Sequence, residues 1–379
     1  MYNKIRNHLK DYTDIFYMFY FLPLAGCVAM GINSDQLFYK VCFAVALIFF
    51  MLKFLVTDYT KIELIVMSLV MFVLAYVFFR TGEKALIITA LSVFGCKGVC
   101  VRSVLKYTLF VYIIGMMLTI SLSMSGKIQG EIHILIKSGI QYKINDFGFS
   151  HPNSAYSHLM MIALMIVAVW QERVRWYHYG FLTIVMFVAY KVFLCRTGFY
   201  IYMLLCMLIG LFHIMRNNKV KKVFFFLFNF IPMGIFILSY GLMINYHRDI
   251  SIINKLDNFV TGRIILSSKA YECAGISWFG ATDRSWMNWI FIDNAYISVL
   301  ISCGVLVCIL CLIAYSLTCI YYWKAEDYYV VIILGVIAVY AFMEYIVVNV
   351  TWSPLLLFMS GALFWNGKNE KKYNENYPS

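Results

Sequence analysis

Charged side chains are scarce in this 379-residue chain: aspartate, glutamate, lysine and arginine together make up 13% of it, against 63% apolar residues. Soluble domains carry about 25% charged and about 45–50% apolar residues. A water-soluble fold of this composition would have too little polar surface to cover its core. Helices in a bilayer can expose apolar side chains to lipid on every face. The composition therefore predicts an integral membrane protein.

Several sequence signals are also absent. No long basic run and no nucleic-acid-binding motif accompanies the formal net charge of +12; basic loops beside membrane helices explain that excess, so nucleic acid is not expected as a partner. Of the 11 cysteines, Cys308 and Cys311 form a CxxC inside an apolar run without a second pair, and we interpret the cysteines as small apolar side chains. No span or outer loop shows His, Asp and Glu at metal-ligand spacing, so neither a metal nor another cofactor is expected.

Apolar segments follow one another along the whole chain. A bilayer core about 30 Å thick needs roughly 20 apolar residues per helix, and hydropathy divides the sequence into about twelve such segments. The fold class expected is all-α, a polytopic bundle of about twelve transmembrane helices forming one domain over 1–379. The predicted spans are 15–32, 36–56, 62–79, 84–101, 104–125, 148–170, 177–195, 197–215, 222–245, 291–322, 327–348 and 352–366.

The distribution of basic residues predicts the orientation. With a cytoplasmic N-terminus, most of the 31 lysines and arginines lie on the cytoplasmic side, and those outside are concentrated in two long loops, which influence orientation weakly. Both termini are therefore expected in the cytoplasm, with loops 126–147 and 246–290 outside. In 246–290, apolar residues from Ile252 to Ile264 recur at helical spacing and predict an amphipathic helix on the outer leaflet; the alternative is an irregular loop packed on the bundle.

Ionisable groups within apolar segments are costly and mark candidate functional positions. Here they crowd on the predicted outer side, which indicates a site open to that side. The residues are Arg80, His151, Lys191, Arg196, Arg263, Asp283, Arg284, Asp293 and Glu344.

Four short patterns contain the strongest candidates. In GFSHPNS (148–154) a plain helix start explains the proline but not the imidazole of His151 beside the amide of Asn153. In CRTG (195–198) Arg196 is confined to a short connector, where the alternative role is snorkelling to headgroups. The others are TGR, ending at Arg263, and DNAY, beginning at Asp293. Asp293 could equally serve as a plain helix cap.

Two fixed arginines at a membrane edge suit a phosphorylated substrate. Guanidinium groups bind phosphate through paired N–H bonds and stay charged when partly buried. Arg80 and Lys191 add positive charge near the same edge. A nearby carboxylate or imidazole could take a proton from an attacking hydroxyl; Asp283, Glu272 and His151 are the candidates, and the choice among them stays open.

The order of GFSHPNS, CRTG, TGR and DNAY in a multi-spanning bundle resembles the Wzy-type polysaccharide polymerases of bacteria. The resemblance extends from the third predicted span to the eleventh. It implies a GT-C-like membrane glycosyltransferase, related to O-antigen ligases and SEDS polymerases, in the bacterial cytoplasmic membrane. Such an enzyme polymerises undecaprenyl-diphosphate-linked oligosaccharide units into O-antigen, capsular or exopolysaccharide, and a flippase and a chain-length regulator are possible partners.

The resemblance also implies roles for individual residues. Arg196 and Arg263 would bind the donor diphosphate, His151 and Asn153 would lie beside it, and Asp293 would orient a loop or the acceptor. Neither a nucleotide sugar nor a metal is implied, and the sequence contains no DxD motif. Cys195 stands where many relatives have serine. Two alternatives remain: an O-antigen ligase, or a transporter or flippase of lipid-linked sugars, although the sequence shows no sign of the internal repeats or broken helices typical of transporters.

Overall fold

The computed structural model describes residues 12–137, 140–246 and 250–364, and within them the chain is mainly helical. Short 3-10 turns, such as Leu227–Phe230, connect some of the helices. The helices are α1 (Thr13–Ala29), α2 (Leu37–Val56), α3 (Lys61–Thr81), α4 (Ala85–Gly95), α5 (Val101–Met124), α6 (Pro152–Trp170), α7 (Trp176–Phe193), α8 (Arg196–Ile214), α9 (Asn218–Phe226), α10 (Ile231–Asn245), α11 (Ser251–Phe259), α12 (Arg263–Ala274), α13 (Ala295–Ser302), α14 (Val305–Lys324), α15 (Tyr328–Tyr340) and α16 (Met359–Phe364).

Seven helical segments of the described chain are long and apolar enough to cross a bilayer, judged by length and composition. They are α2, α3, α5, α8 and α14, together with α6 and its following turn and the continuous stretch from α9 through α10. Four shorter apolar segments, 13–29, 85–95, 328–340 and 354–364, pack among them. The chain is a helical membrane protein, as the composition predicts.

Polar contacts gather the connecting segments into two groups at opposite ends of the bundle. At one end Lys53 donates to the carbonyl of Lys97, Lys97 pairs with Glu63, and Arg102 pairs with Asp327. The other end contains the turns after α1 and α3 and the long segments before α6 and before α13. We call it the hairpin end, because a β-hairpin lies there.

The hairpin is a departure from the predicted all-α fold. Strands β1 (Ile132–Lys137) and β2 (Ile140–Asn145) pair antiparallel, with Ile132 opposite Asn145. Residues 126–147 were predicted only as an outer loop. The alternation of apolar and polar residues in this loop covers only a few positions. In a chain this apolar, so short an alternation is a weak signal for a β-strand compared with the signals of the long helical segments.

The predicted span 291–322 is wrong as a single helix. Helix α13 ends at Ser302, and α14 starts at Val305 after Gly304, whose φ is +92°. The hydroxyl of Tyr296 in α13 donates to the carbonyl of Ala338 (2.9 Å), and that of Tyr315 in α14 donates to Leu334 (2.6 Å). These carbonyls lie one turn apart on α15, so α13 must fold back beside α14.

Two more predicted spans are interrupted. Helix α15 stops at Tyr340, within the predicted span 327–348, and 3-10 turns at Tyr345–Val348 and Pro354–Phe358 precede the short α16. Helix α4 covers only part of 84–101. The expectation that the chain lacks broken helices is therefore wrong. Hydropathy detects apolar stretches, whereas the turns inside them are set by tertiary packing.

The long segment between α10 and α13 contains two helices, α11 and α12. Ile253, Val260 and Ile264 are buried against α10 and the turn after α15, whereas Ile252 and Phe259 are exposed. The segment therefore packs against the bundle on one face and leaves apolar side chains uncovered on another.

Candidate functional site

Arg263 is presented by a tight turn and a capped helix. Thr261 and Gly262 adopt positive φ angles of 60° and 82°, and α12 begins at the next residue. The carboxylate of Asp257 accepts a hydrogen bond from the backbone N–H of Ile264 at 2.8 Å, satisfying one of the unpaired N–H groups of a helix start. The TGR pattern thus corresponds to an arginine in a fixed position.

The guanidinium of Arg263 lies between two carboxylates and is only 6% exposed. Its Nε is 3.1 Å from Oδ2 of Asp293, and its Nη2 is 3.2 Å from Oε1 of Glu344. Nε also donates to the carbonyl of Met343 (2.9 Å), and Nη1 donates to Oγ1 of Thr261 (2.9 Å). We call Arg263, Asp293 and Glu344 the arginine cluster. An anionic ligand can bind this guanidinium through paired N–H groups only by displacing a carboxylate.

The two carboxylates come from segments that meet where their helices are interrupted. The N–H of Ala295 donates to the carbonyl of Ala341 at 2.8 Å, joining the start of α13 to the end of α15. Asn294 caps α13 through its side-chain oxygen (3.0 Å to the N–H of Tyr296). The alternative in which Asp293 serves as the cap is therefore not observed, and its carboxylate faces Arg263.

Burial acts on both carboxylates of the arginine cluster, which lie in connecting segments outside the helices. Desolvation raises the pKa of Asp293, and the charge of Arg263 opposes the rise. Desolvation also raises the pKa of Glu344, to about 8, again opposed by Arg263. Two negative charges on one arginine are unfavourable, so one proton is retained near neutral pH. The cluster can therefore accept or release a proton.

His151 is the N-cap of α6, and its Nδ1 accepts a hydrogen bond from the backbone N–H of Asn153 at 3.1 Å. Desolvation lowers the pKa of His151, and His133 and Arg263 act in the same direction while Asp146 opposes them. A neutral imidazole that accepts at Nδ1 carries its proton on Nε2. His151 thus offers a hydrogen-bond donor to the site rather than a free basic nitrogen.

Three predicted substrate-binding cations lie on exposed surfaces. Arg196 begins α8 and Arg80 is in the last turn of α3, and neither makes a hydrogen bond or ion pair with another described residue. Lys191 lies over the rings of Phe187 and Tyr190, at 5.3 and 5.5 Å from their centroids. No contact among the described residues joins any of the three to the arginine cluster.

The other predicted acids lie outside the cluster. Asp283 is exposed, and hydrogen bonds from Ser285 lower its pKa, so it is a weak base. Its neighbour Arg284 donates to the carbonyl of Thr81 and pairs with Glu83 at 3.2 Å, which ties the long segment to the turn after α3. Glu272 is exposed on α12.

Arg263 and Asp293 are candidates from the TGR and DNAY patterns, whereas no role is predicted for Glu344. The available signal was an acidic residue in an otherwise apolar stretch, which is a functional candidate by itself. Its partner could not be identified, because the ion pair joins residues 81 positions apart.

The structure brings together a second polar group at the hairpin end that the spacing of residues in the sequence did not predict. Glu131, His133 and Asp146 place one ligand atom each within 4.8 Å of one another. Nε2 of His133 is 3.3 Å from Oδ2 of Asp146. The spacing in sequence does not indicate a metal site, because the group forms only when the hairpin pairs Glu131 with Asp146.

An apolar cavity of about 440 Å³ adjoins the arginine cluster. Helices α3, α4, α13, α14 and α15 surround it, and its lining is almost entirely apolar. Ala295 and Ala341 are part of that lining and lie within three residues of Asp293 and Glu344. The cavity thus lies close to the arginine cluster, whose three residues are not part of its lining.

No family model, curated protein or solved structure matches this chain.

Proposed function

We propose that the chain is a membrane-embedded glycosyltransferase that polymerises undecaprenyl-diphosphate-linked oligosaccharide units on the outer face of the bacterial cytoplasmic membrane. In this proposal about twelve segments enter the bilayer, both termini are cytoplasmic, and the hairpin end faces outward. A flippase would supply the substrate, and a chain-length regulator would act on the product. The observation that carries the proposal is the arginine cluster beside an apolar cavity.

The arrangement suits a substrate with a charged head and an apolar tail. The cavity can take part of an isoprenoid chain, since its lining offers almost no polar group. The diphosphate would then lie at the hairpin end. Arg196 would bind the diphosphate, because its guanidinium is exposed, has no partner among the described residues and remains available to an anion.

A carboxylate of the arginine cluster would accept the proton that the reaction releases. Asp293 is the more accessible of the two, with 25% of its side chain exposed, and its raised pKa suits a general base. It would take the proton of the acceptor hydroxyl, whose oxygen bonds to the anomeric carbon of the donor. The bond from that carbon to the diphosphate breaks, and the diphosphate leaves with the electron pair. Positive charge from Arg196 would stabilise the leaving group.

A transporter of lipid-linked sugars is the second candidate, and the interrupted helices favour it. Transporter binding sites are commonly built from discontinuous helices, and α13 begins at the arginine cluster and ends after eight residues. Among the described residues, the charged groups that form buried or half-buried ion pairs lie near helix ends rather than in mid-span. That distribution supports a site at one membrane face.

The test is deletion of the gene in its host, followed by analysis of lipid-linked glycans. A polymerase defect leaves single repeat units on lipid at the outer face, where added glycosidases reach them. A transport defect leaves them on the cytoplasmic face, and a ligase defect leaves long chains on the lipid. Either of the last two results, or a normal polymer ladder, would overturn the proposal.

Variants then assign the residues. Asp293→Asn and Arg196→Ala should each stall the product at one repeat unit, and Arg196→Lys should nearly match Arg196→Ala, because lysine lacks the paired planar donors. Arg175→Lys, at the other end of the bundle, is the control and should give full-length polymer. Arg263→Ala is less informative, since it leaves two buried carboxylates without their cation. Normal polymer from both Asp293→Asn and Arg196→Ala would rule out this mechanism.

A further inference from the structure

The base of the hairpin carries an excess of negative charge that no lysine or arginine of the described residues balances. Asp146 is 1% exposed, and its ion-pair partner among those residues is His133. Glu131, exposed beside it, forms no ion pair there. Burying a carboxylate without a compensating charge is unfavourable. A cation at this position would remove that cost.

The backbone fixes the carboxylate of Asp146 in one orientation. Its Oδ1 accepts hydrogen bonds from the N–H of Glu131 (3.0 Å) and from the N–H of Gly148 (2.9 Å). Oδ2 is therefore directed to the imidazole of His133. The residue at 130 must be small, because a Cβ on Gly130 would lie 2.4 Å from the side-chain oxygen of Asn145. The position of Asp146 thus follows from the hairpin register.

The distances suit a small divalent ion. Metal–oxygen and metal–nitrogen bonds of about 2.0–2.2 Å place neighbouring ligands of a tetrahedral or octahedral site about 3.0–3.5 Å apart. His133 Nε2 and Asp146 Oδ2 are 3.3 Å apart. All three ligand atoms lie within 4.8 Å of one another. The side chain of Glu131 is exposed, so a rotation can bring its carboxylate to the shorter distance that the ion requires.

We propose that Glu131, His133 and Asp146 bind one divalent transition-metal ion, of the class that includes Zn²⁺ and Mn²⁺. One imidazole with two carboxylates favours such ions over Mg²⁺ and Ca²⁺, which prefer oxygen ligands alone. The ion replaces the direct contact between His133 and Asp146 and links β1 to the segment after β2. The ring of His151 lies 5.1 Å from that of His133, so the ion also fixes the surroundings of the α6 N-cap.

Metal binding is measured directly on the full-length protein, purified in detergent without a polyhistidine tag and stripped with a chelator. Zn²⁺ is titrated by calorimetry, and Co²⁺ serves as a visible-absorption probe. We expect one ion per chain and a Co²⁺ spectrum with ligand-field bands. The readout does not depend on glycan transfer, so it separates this inference from the proposed function.

Substitutions locate the site. Glu131→Gln, an exposed change that does not threaten folding, and Asp146→Asn, which keeps the Oδ1 acceptor, should each weaken binding at least about tenfold; His133→Ala should remove the Co²⁺ bands. Controls are His178→Ala and Asp35→Asn, which remove an imidazole and an exposed carboxylate elsewhere. The proposal would be overturned if the wild type did not bind the ion stoichiometrically. It would also be overturned if Glu131→Gln and Asp146→Asn bound the ion with the affinity of the wild type.

Discussion

Arg263 and Glu344 are separated by 81 residues in sequence, yet they form an ion pair in which both side chains are less than a tenth exposed. Asp293 shares the same guanidinium. The pair is the meeting point of the long loop, the start of α13 and the end of α15.

The first prediction is that the contribution of Glu344 to stability falls with rising pH. A carboxyl whose pKa is raised in the folded state binds its proton more tightly there than in the unfolded chain. For Glu344 this contribution is complete below about 4.5, the ordinary pKa, and is lost as pH rises through about 8. The thermal unfolding midpoint of the wild type in detergent should therefore decrease between these values relative to that of Glu344→Gln; the lowered pKa of His151 acts in the opposite direction, but equally in both proteins.

Glu344→Gln should flatten that dependence, because the amide does not titrate. Asp35→Asn is the control, since the carboxylate of Asp35 is exposed and paired only with Lys84. A difference in midpoint between the wild type and Glu344→Gln that stays constant across this pH range would contradict the prediction.

The second prediction concerns the turn between α13 and α14. A Cβ on Gly304 would lie 2.4 Å from the backbone N of Gly280 and 2.5 Å from the carbonyl of Trp278, and its φ of +92° disfavours any side chain. Gly304→Ala should destabilise the fold by more than about 2 kcal/mol, from overpacking and backbone strain together. The measurement is the thermal midpoint.

Gly180→Ala in α7 is the matched control. No atom lies within 4 Å of a Cβ built at Gly180, and alanine favours the helix by roughly 1 kcal/mol. Equal midpoints for the two alanine variants would show that the turn is not tightly packed.

The third prediction compares two ion pairs at the hairpin end. Arg284 and Glu83 are mostly buried, with side-chain exposures of 25% and 13%, whereas Lys84 and Asp35 are exposed at 44% and 88%. Arg284→Ala should cost about 1.5–3 kcal/mol, the range for hydrogen bonds of charged groups. Lys84→Ala should cost less than about 1 kcal/mol. Denaturation curves of both variants test this, and a larger effect of Lys84→Ala would refute it.

The fourth prediction concerns orientation. Cys273 on α12 is the one exposed residue among the 11 cysteines. If the hairpin end faces outward, a membrane-impermeant maleimide should label intact spheroplasts at this residue, and Cys273→Ser should abolish labelling. In the Cys273→Ser background, a cysteine placed at exposed Lys219 should react only after lysis. The reverse pattern would invert the proposed topology.

The sequence was sufficient for the membrane class and the helical fold, because composition and hydropathy are local properties. The TGR pattern also singled out Arg263, and the structure shows that a local turn precedes this residue; its function stays a prediction. The sequence did not predict the fold-back of α13, which depends on Gly304 and on tyrosine contacts with α15. Nor did it predict the partners of Arg263, since hydropathy carries no information on which charges meet.

The neighbours within the group of Glu131, His133 and Asp146 could not be predicted from the sequence either. Glu131 and Asp146 become neighbours through strand register, and a single-residue shift would separate them. Asn294 rather than Asp293 caps α13; both side chains are good caps, so only the structure distinguishes them.

The ion pair of Arg263 with Glu344 also constrains how the protein is made. Glu344 follows Arg263 in the chain, so the guanidinium cannot be paired with it until the last apolar segments have been synthesised. A charged side chain is costly inside a bilayer, and until Glu344 is made Asp293 is the one carboxylate of the cluster available to Arg263. Closure of the arginine cluster is therefore a late step of biogenesis, and chains truncated before residue 344 should retain Asp293 as the only carboxylate of the cluster that can pair with Arg263.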